Sequence, residues 1–215
     1  CKLHIVPYGL DFTLYEDFAA IKAGDDLRRQ FNCRHVIFAV GRHVYYKGFE
    51  YLIQAMHHVH DDALLVLGGN GPLTPMLKRL TVKQGLNERV LFVGRIPDKD
   101  LPAYYHAADV FCMPSVEPSE AFGLVQVEAM ACRKPVVSCE LNNGVSYVNQ
   151  NGKTGLVVPP RNAKSLAEAI NHLLEDTALR NLLGEAGLRR GKSEFSLENM
   201  CNKTLSVYEH ITKLN

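Results

Sequence analysis

Residues 110–131 of this chain read VFCMPSVEPSEAFGLVQVEAMA, and the order of residue types in this stretch decides the fold class. The apolar run Val110–Met113 is typical of a buried strand, and it ends at Pro114-Ser115. A polar loop follows, and small and apolar residues then predict a helix through Ala129-Met130-Ala131. The order strand, loop, helix favours anion binding, because the first N–H groups of a helix are unpaired and carry the positive end of its dipole.

Two glutamates, Glu120 and Glu128, bracket this junction between loop and helix. One stands just before the helix and the other about one and a half turns inside it. Carboxylates in these places can accept hydrogen bonds from hydroxyl groups, while the helix N-terminus binds phosphate. The pair therefore indicates a ligand that is part phosphate and part polyhydroxylated, such as a nucleotide-sugar. A surface glutamate and a helix-stabilising glutamate remain the alternative when the two residues are taken alone.

The same alternation of apolar runs and helical patterns continues along most of the chain. Continuous apolar strands separated by helices predict a parallel sheet covered on both faces, which is a doubly wound, Rossmann-like α/β domain. The predicted strands are Leu3–Val6, Val36–Val40, Leu64–Leu67, Val90–Val93, Val110–Met113, Pro135–Ser138 and Gly155–Val158. The predicted helices between them are Phe49–His60, Thr74–Lys83, Leu101–Ala108, Phe122–Cys132 and Asn143–Val148. After Pro159-Pro160 only helices are predicted, with Asn162, Asp176 and Ser196 as N-caps.

The composition disfavours several classes of protein. With 215 residues, 47% of them hydrophobic, the chain can form one large or two small domains with a substantial core. A net charge of +1 gives no indication of a nucleic-acid partner or a polybasic membrane segment. The six cysteines form no CxxC pair and lie mostly in apolar runs, which favours buried thiols in a reducing, cytoplasmic compartment. No signal peptide is evident, and no apolar run approaches the about 18 residues that a transmembrane helix needs. Because the chain opens at Cys1 inside a strand-like run, we expect it to be a fragment.

The loops that follow the strands carry the candidate residues, because ligands of doubly wound sheets lie beyond the carboxyl ends of the strands. In the first loop, Arg42 and Lys47 follow Gly41. An arginine fork and a lysine ammonium can neutralise a diphosphate leaving group, and two solvated surface charges are the alternative. The second loop, Gly68–Gly71, lacks the GxGxxG pattern, and no P-loop motif occurs in the chain. A sharp turn beneath a ligand is therefore favoured over a dinucleotide site.

Other polar clusters are interpreted without a metal. Asp98-Lys99-Asp100 is followed by a helical pattern, and acidic residues are common where helices begin. His57, His58 and His60 lack the spacing of metal ligands, so we assign them no role. The pair Tyr45-Tyr46 either lines a site or faces solvent, and the sequence leaves this open.

Taken together, these segments resemble the C-terminal domain of the group 1 glycosyltransferases, which are family four enzymes of GT-B fold with a retaining mechanism. The resemblance covers nearly the whole chain. The segments that carry it are Pro7–Asp11, Gly41-Arg42 with Lys47-Gly48, Gly94-Arg95-Ile96, Ala108–Val110, Pro114-Ser115, Glu120–Gly123, Glu128–Ala131, Lys134–Val137 and Gly152–Pro159.

The resemblance implies a role for each candidate residue. Arg42 and Lys47 would bind the donor diphosphate and stabilise its departure, and Glu120 would contact sugar hydroxyls beside the reacting carbon. Glu128 would hold the ribose hydroxyls. Backbone N–H groups of Phe122–Leu124 would bind the phosphates and the sugar. The loop Gly94–Ile96 would contact the base, largely through its backbone. The donor-binding set so implied is Gly41, Gly94, Arg95, Ile96, Phe122, Gly123, Leu124 and Glu128.

The resemblance also implies how the chain is organised. Residues 1–34 would form an interdomain connector with a short helix, residues 35–195 the nucleotide-sugar-binding domain, and residues 196–215 a helix that reaches back to an N-terminal domain. That N-terminal domain would bind a glycan or lipid-linked acceptor, so the isolated chain is expected to transfer little or nothing. The whole enzyme would need no metal or other cofactor. It would work in the cytoplasm, with peripheral association at the inner membrane face.

Two departures and two alternatives complete the prediction. Arg133 stands where the family commonly has glycine, which raises the question of an altered turn. Asn142–Val148 replaces a commoner pattern and resembles bacterial surface-polysaccharide transferases of the O-antigen type, often mannosyl or related hexosyl enzymes. A non-catalytic nucleotide-sugar-binding module is disfavoured because Arg42, Lys47 and both glutamates are all present. A nicotinamide-dependent oxidoreductase is disfavoured by the missing GxGxxG.

Overall fold

In the computed structural model, residues 3–212 are described, and they form one six-stranded parallel sheet in the order β3-β2-β1-β4-β5-β6. The strands are β1 (His35–Val40), β2 (Ala63–Gly68), β3 (Val90–Gly94), β4 (Val110–Met113), β5 (Val136–Cys139) and β6 (Gly155–Val158). The helices are α1 (Thr13–Glu16), α2 (Phe18–Phe31), α3 (Phe49–Ala55), α4 (Thr74–Lys83), α5 (Leu101–Ala107), α6 (Leu124–Ala131), α7 (Gly144–Val148), α8 (Ala163–Glu175), α9 (Thr177–Glu194) and α10 (Leu197–Thr212). The predicted doubly wound α/β domain with C-terminal helices is therefore confirmed.

The four central strands, β2, β1, β4 and β5, are buried on both faces, as their continuous apolar runs require. Helix α3 packs with α8, while α5 packs with α2 and α6. Three aromatic side chains hold the centre of the core together. The ring of Tyr105 lies 5.1 Å from that of Phe38 and 5.2 Å from that of Phe111, and all three are fully buried. This cluster fixes α5 against β1 and β4, where the strand order reverses.

The predicted strand Leu3–Val6 is wrong. These residues have no regular secondary structure, and the side chains of Leu3 and Ile5 are 76% and 79% exposed. The segment runs beside α10, where the rings of His4 and His210 are 5.6 Å apart. A helix offers no free backbone edge for pairing, so an apolar pattern alone cannot make a strand here.

Two predicted helices are shorter than expected, each for a local reason. Helix α3 ends at Ala55 and not at His60, because Arg89 donates hydrogen bonds of 2.6–3.0 Å to three carbonyls of the segment that follows. Helix α6 begins at Leu124 and not at Phe122, because Gly123 has a left-handed φ of +72°. The three predicted N-caps are confirmed, and Asn162, Asp176 and Ser196 each accept a backbone hydrogen bond of 2.8–3.2 Å.

The N-terminal connector contains more helix than expected. Helix α2 has 14 residues and packs along α5, and the short helix α1 precedes it. At the other end, no residue of α10 within the described range is buried. Cys1 and the last three residues of the expected terminal helix lie outside the described residues.

At Arg133 the backbone adopts the left-handed conformation that glycine would favour. Arg133 has a φ of +56°, in the left-handed region, and its Nε lies 2.9 Å from Glu185 Oε1 on α9. The departure from glycine is thus accommodated by the arginine itself, at a conformational cost of about 1–2 kcal/mol.

Candidate active site

Lys47 and Glu120 meet at the point where the sheet reverses its strand order. Lys47 follows β1 and Glu120 follows β4, and β1 and β4 are neighbours in the sheet. The Lys47 Nζ lies 2.5 Å from Glu120 Oε2, and the two side chains are only 12% and 11% exposed. This is the place where doubly wound folds bind their ligands. The structure thus brings together two of the three predicted catalytic residues.

Backbone contacts hold the two loops in this arrangement. The amide of Val116 donates to the Tyr46 carbonyl over 2.8 Å. Gly48 passes so close to Pro114 that an added Cβ would lie 2.2 Å from its carbonyl oxygen. The neighbouring Tyr45 is 66% exposed, so of the tyrosine pair only Tyr46 packs beside Lys47.

Ser115 also holds Glu120 in place. Its hydroxyl is fully buried and donates to Glu120 Oε2 over 3.0 Å. Asn143 supports the same loop through Nδ2, which donates to the Glu120 carbonyl over 2.8 Å and to the Pro118 carbonyl over 3.2 Å. The unusual segment Asn142–Val148 therefore has a direct structural role beside the predicted site.

The loops after β1, β2 and β3 are joined by backbone hydrogen bonds. Gly41 donates to the Gly68 carbonyl over 3.3 Å, and Gly69 donates to the Gly94 carbonyl over 2.6 Å. Gly69 has a φ of +98°, and an added Cβ would lie 1.9 Å from the Gly41 oxygen. Only glycine fits there, as the predicted sharp turn requires.

A cavity of about 770 Å³ opens beside these joined loops. Its lining residues are Gly41, Arg42, Gly69, Asn70, Gly71, Pro72, Thr74, Pro75 and Arg95. The predicted residues Gly41, Arg42 and Arg95 therefore share one cavity, whose volume falls within the range of ligand pockets. The predicted residue Ile96 packs against Gly68 at the end of β2. Its Cδ1 lies 2.7 Å from the position that a Cβ on Gly68 would take.

His43 lies beneath this cavity and is fully buried. Its Nδ1 is 2.8 Å from Thr74 Oγ1, and its Nε2 is 3.3 Å from the Gly68 carbonyl oxygen. Burial lowers the pKa of the imidazole, so the ring is neutral at physiological pH and donates from Nε2 to the carbonyl. His43 thus ties α4 to the end of β2 and adds no charge to the cavity.

The N-terminus of α6 lies next to Glu120. Gly123 occupies the N-cap position, and among the described residues no side chain caps the first turn of this helix. The first N–H groups therefore remain available to an anion. Phe122 is fixed by ring contacts of 5.6 Å with Tyr8 and 5.7 Å with Phe195, and Leu124 is 37% exposed.

Glu128 faces a different set of partners. Its Oε2 accepts a hydrogen bond of 2.7 Å from the hydroxyl of Tyr105. Burial raises the pKa of this carboxyl, and the charge of Asp98 raises it further, whereas hydrogen bonds from Tyr105 and Tyr15 lower it. Asp98 belongs to the same loop as the predicted base-binding residues, so the Glu128 carboxylate lies near that loop.

The segment 98–100 leads into α5, with Asp100 at the N-cap position. Within residues 3–212, no group of three or more histidine, cysteine, aspartate or glutamate side chains is placed to hold a metal ion. In the same part of the chain, no helix is long and apolar enough to cross a membrane.

The family model described as "Glycosyl transferases group 1" matches residues 28–190, which is more than half of the chain. The chain belongs to the group 1 glycosyltransferases. One relative of the chain is the O-antigen chain mannosyltransferase C of Escherichia coli. It is 32% identical over 169 residues, covering 79% of the chain and 45% of the relative. The chain spans about half the length of the curated relatives it matches.

Solved structures of glycosyltransferases share the fold. Sucrose-phosphate synthase from Thermosynechococcus elongatus superposes with a TM-score of 0.85 and 32% identity, over 98% of this chain and 53% of that one. Anabaena Alr3699/HepE in complex with UDP and glucose superposes with a TM-score of 0.83 and 26% identity, over 95% of this chain and 55% of that one. The predicted resemblance to one half of a GT-B enzyme is thereby confirmed.

Sequence reasoning assigned no role to four of the side chains that shape the site. Ser115, His43, Tyr105 and Tyr15 act through contacts with residues distant in sequence. Only Ser115 carried a signal, since it follows the end of a strand within a family segment. The roles assigned to the predicted site residues stay predictions.

Proposed function

We propose that this chain is the donor-binding half of a retaining glycosyltransferase, which moves a hexosyl group from a nucleoside diphosphate sugar to a glycan or lipid-linked acceptor. The observation that carries the proposal is the ion pair of Lys47 and Glu120 at the strand-order reversal, next to the open N-terminus of α6. A cation and free N–H groups can bind a diphosphate, and a carboxylate can accept hydrogen bonds from sugar hydroxyls.

In this proposal the positive groups act on the leaving group. Lys47 and Arg42 flank the loop after β1, and Arg42 is exposed to the cavity where a nucleotide would lie. As the bond to the anomeric carbon breaks, negative charge grows on the diphosphate, and these cations with the α6 N–H groups stabilise it. The chemistry then requires no bound metal. Glu120, steadied by Ser115, would contact the sugar hydroxyls.

The acceptor side belongs to the rest of the enzyme. The chain matches about half of each relative, and α10 exposes an apolar stripe suited to contact with another domain. Its members are Leu197, Leu205, Tyr208 and Ile211, which are 45–63% exposed. We therefore propose that an N-terminal domain binds the acceptor and covers this helix. The E. coli relative is named for O-antigen chains, which supports a surface-polysaccharide acceptor. We propose that the whole enzyme works in the cytoplasm, at the inner membrane face.

The test is calorimetric titration of the chain with UDP, GDP, ADP and their sugar conjugates in the presence of a chelator. We expect one nucleotide series to bind, and Lys47→Ala to weaken it by about 1.5–3 kcal/mol, the range for hydrogen bonds to charged groups. Lys164→Ala, on the exposed face of α8, is the matched control and should change nothing. Equal affinity in Lys47→Ala and wild type would remove Lys47 from the donor site.

Retention and transfer are tested in the protein extended by its N-terminal domain. Lys47→Ala should lower turnover more than it raises the Michaelis constant for the donor, because leaving-group charge is greatest in the transition state. The anomeric configuration of the product, read by NMR, should match that of the donor. An inverted product would contradict the proposed mechanism.

A further inference from the structure

Two buried tyrosines from different parts of the chain lie beside the carboxylate of Glu128. Tyr105 of α5 is fully buried, and its hydroxyl lies 2.7 Å from Glu128 Oε2. Its ring cannot swing away, because it is wedged edge-on against Phe38 and tilted against Phe111. The hydroxyl is therefore fixed by the core itself.

The second tyrosine, Tyr15, comes from the N-terminal connector. It is 6% exposed, its ring lies 6.2 Å from that of Tyr105, and burial together with the nearby Glu128 carboxylate raises the pKa of its hydroxyl. Helix α1 is itself clamped to the domain. The Tyr15 carbonyl accepts a 2.7 Å bond from His106 Nε2, and Glu16 pairs with Lys192 over 2.6 Å.

We infer that Tyr105 and Tyr15 are positioning residues that aim the Glu128 carboxylate at a vicinal diol, the ribose hydroxyls of the nucleotide. The inference rests on the proposed function, in which Glu128 holds the ribose. A carboxylate offers about four lone-pair sites. The Tyr105 hydroxyl occupies one of them and the nearby Tyr15 hydroxyl competes for a second, so at least two remain for the two O–H donors of a diol. Glu128 lies beside the loop of Asp98, next to the segment assigned to the base, where a ribose would be.

The two hydroxyls also favour the charged form of this carboxylate over the protonated form. The groups that face Glu128 are Tyr105 from α5, Tyr15 from α1, Asp98 from the loop after β3 and Cys132 from the end of α6. Burial and Asp98 raise the pKa of the carboxyl, and the tyrosines alone oppose that rise. Each tyrosine hydroxyl removed raises the pKa further, so Glu128 loses its charge at a higher pH and binds a diol less well.

The experiment compares Tyr105→Phe and Tyr15→Phe with wild type, because phenylalanine keeps the packing and removes only the hydroxyl. Tyr104→Phe, on the same helix with its ring stacked on Phe38, is the matched control. Each protein is titrated with UDP and GDP and with their 2′,3′-dideoxy forms, which lack the diol, at pH 6 and pH 8. Thermal unfolding is followed in parallel.

We expect each of the two variants to bind the better ribonucleotide about five- to tenfold more weakly, the effect of one lost hydrogen bond. The loss should be larger at pH 6 than at pH 8 and absent for the dideoxy probe. Tyr104→Phe should match wild type with both probes. An equal loss for both probes would show a merely structural role and overturn the inference.

Glu128→Gln separates this inference from the proposed function. If it removes the preference for the ribonucleotide while both tyrosine variants retain it, the inference fails and the ribose assignment stands. If Glu128→Gln keeps the full preference, the ribose assignment itself fails. If wild type binds none of the four probes, both are overturned.

Discussion

Glu120 and Lys47 form an ion pair, with 2.5 Å between Glu120 Oε2 and Lys47 Nζ. The carboxylate proposed to bind the sugar is therefore already paired with the ammonium group proposed to bind the phosphate. A diphosphate that reaches Lys47 has to share the ammonium with this carboxylate and is repelled by its charge. In the proposed function, the sugar hydroxyls would offset this repulsion by donating hydrogen bonds to Glu120. The pair would thus favour the whole donor over the free diphosphate product.

Glu120→Gln is therefore expected to change affinity for product and donor differently. Free UDP or GDP should bind about three- to tenfold more tightly, which corresponds to about 1 kcal/mol of relieved repulsion. The nucleotide-sugar should gain less, because it loses its charged acceptor. Calorimetry with both ligands measures this, and Glu117→Gln in the same loop is the control. Weaker binding of free diphosphate to Glu120→Gln would show that the pair does not act in this way.

Gly69→Ala tests whether the joined loops form the floor of the site. The new Cβ would overlap the Gly41 carbonyl at 1.9 Å in a backbone with φ of +98°. We expect the free energy of unfolding to fall by about 3 kcal/mol, and nucleotide binding to be lost. Gly85→Ala is the control, since its φ is +67° and, apart from the adjacent residues of the chain, no described atom would lie within 4 Å of its Cβ.

Gly85→Ala should lower the free energy of unfolding by only about 1 kcal/mol through backbone conformation, without affecting the ligand. Urea denaturation of both variants gives the two values. Equal destabilisation by the two substitutions would contradict the close approach of the β1 and β2 loops.

Asn143→Ala tests the link between α7 and the Glu120 loop. Asn143 caps α7 by accepting from Val145 over 3.0 Å, and its amide donates to the Glu120 carbonyl over 2.8 Å. We expect about 1–2 kcal/mol of lost stability from the cap, and weaker nucleotide-sugar binding from the loosened loop. Asn162→Ala removes a cap of the same kind from α8, far from the loop, and should affect stability alone. If both variants bind the donor alike, Asn143 serves only as a cap.

The sheet could be predicted from sequence because local patterns and burial agree there. Helix α4 was predicted with the correct bounds, since a proline near its start and Gly85 after its end punctuate a regular apolar period. Leu3–Val6 shows the limit of such patterns, because pairing depends on a neighbouring strand that the segment itself cannot specify.

The site could be predicted only in part, for a related reason. Arg42, Lys47 and Glu120 stand in loops directly after strands, where the topology alone brings them to one edge of the sheet. The approach of Tyr15 to Glu128 depends on how α1 packs onto α5 and α6. No local pattern in the connector indicates that approach, because tyrosine in an amphipathic helix is ordinarily a core residue.

Glu128→Gln is expected to make the fold less sensitive to pH while it weakens nucleotide binding. Burial raises the pKa of Glu128 in the folded chain above its ordinary value of 4.5. The folded state therefore holds this proton more tightly than the unfolded state, and that contribution to stability is full below pH 4.5 and lost as the pH rises through the folded pKa. Glutamine does not titrate and still accepts a hydrogen bond from Tyr105.

The stability of Glu128→Gln relative to wild type should thus increase between pH 4.5 and the raised pKa, and then stay constant at higher pH. Urea denaturation of both proteins from pH 4 to pH 8 measures this difference, and Glu168→Gln on the exposed face of α8 is the control. If the difference in stability stays constant or falls with rising pH, burial does not raise the pKa of Glu128. Higher stability together with weaker nucleotide binding would mean that the chain keeps an unfavourable buried charge because the ligand needs it.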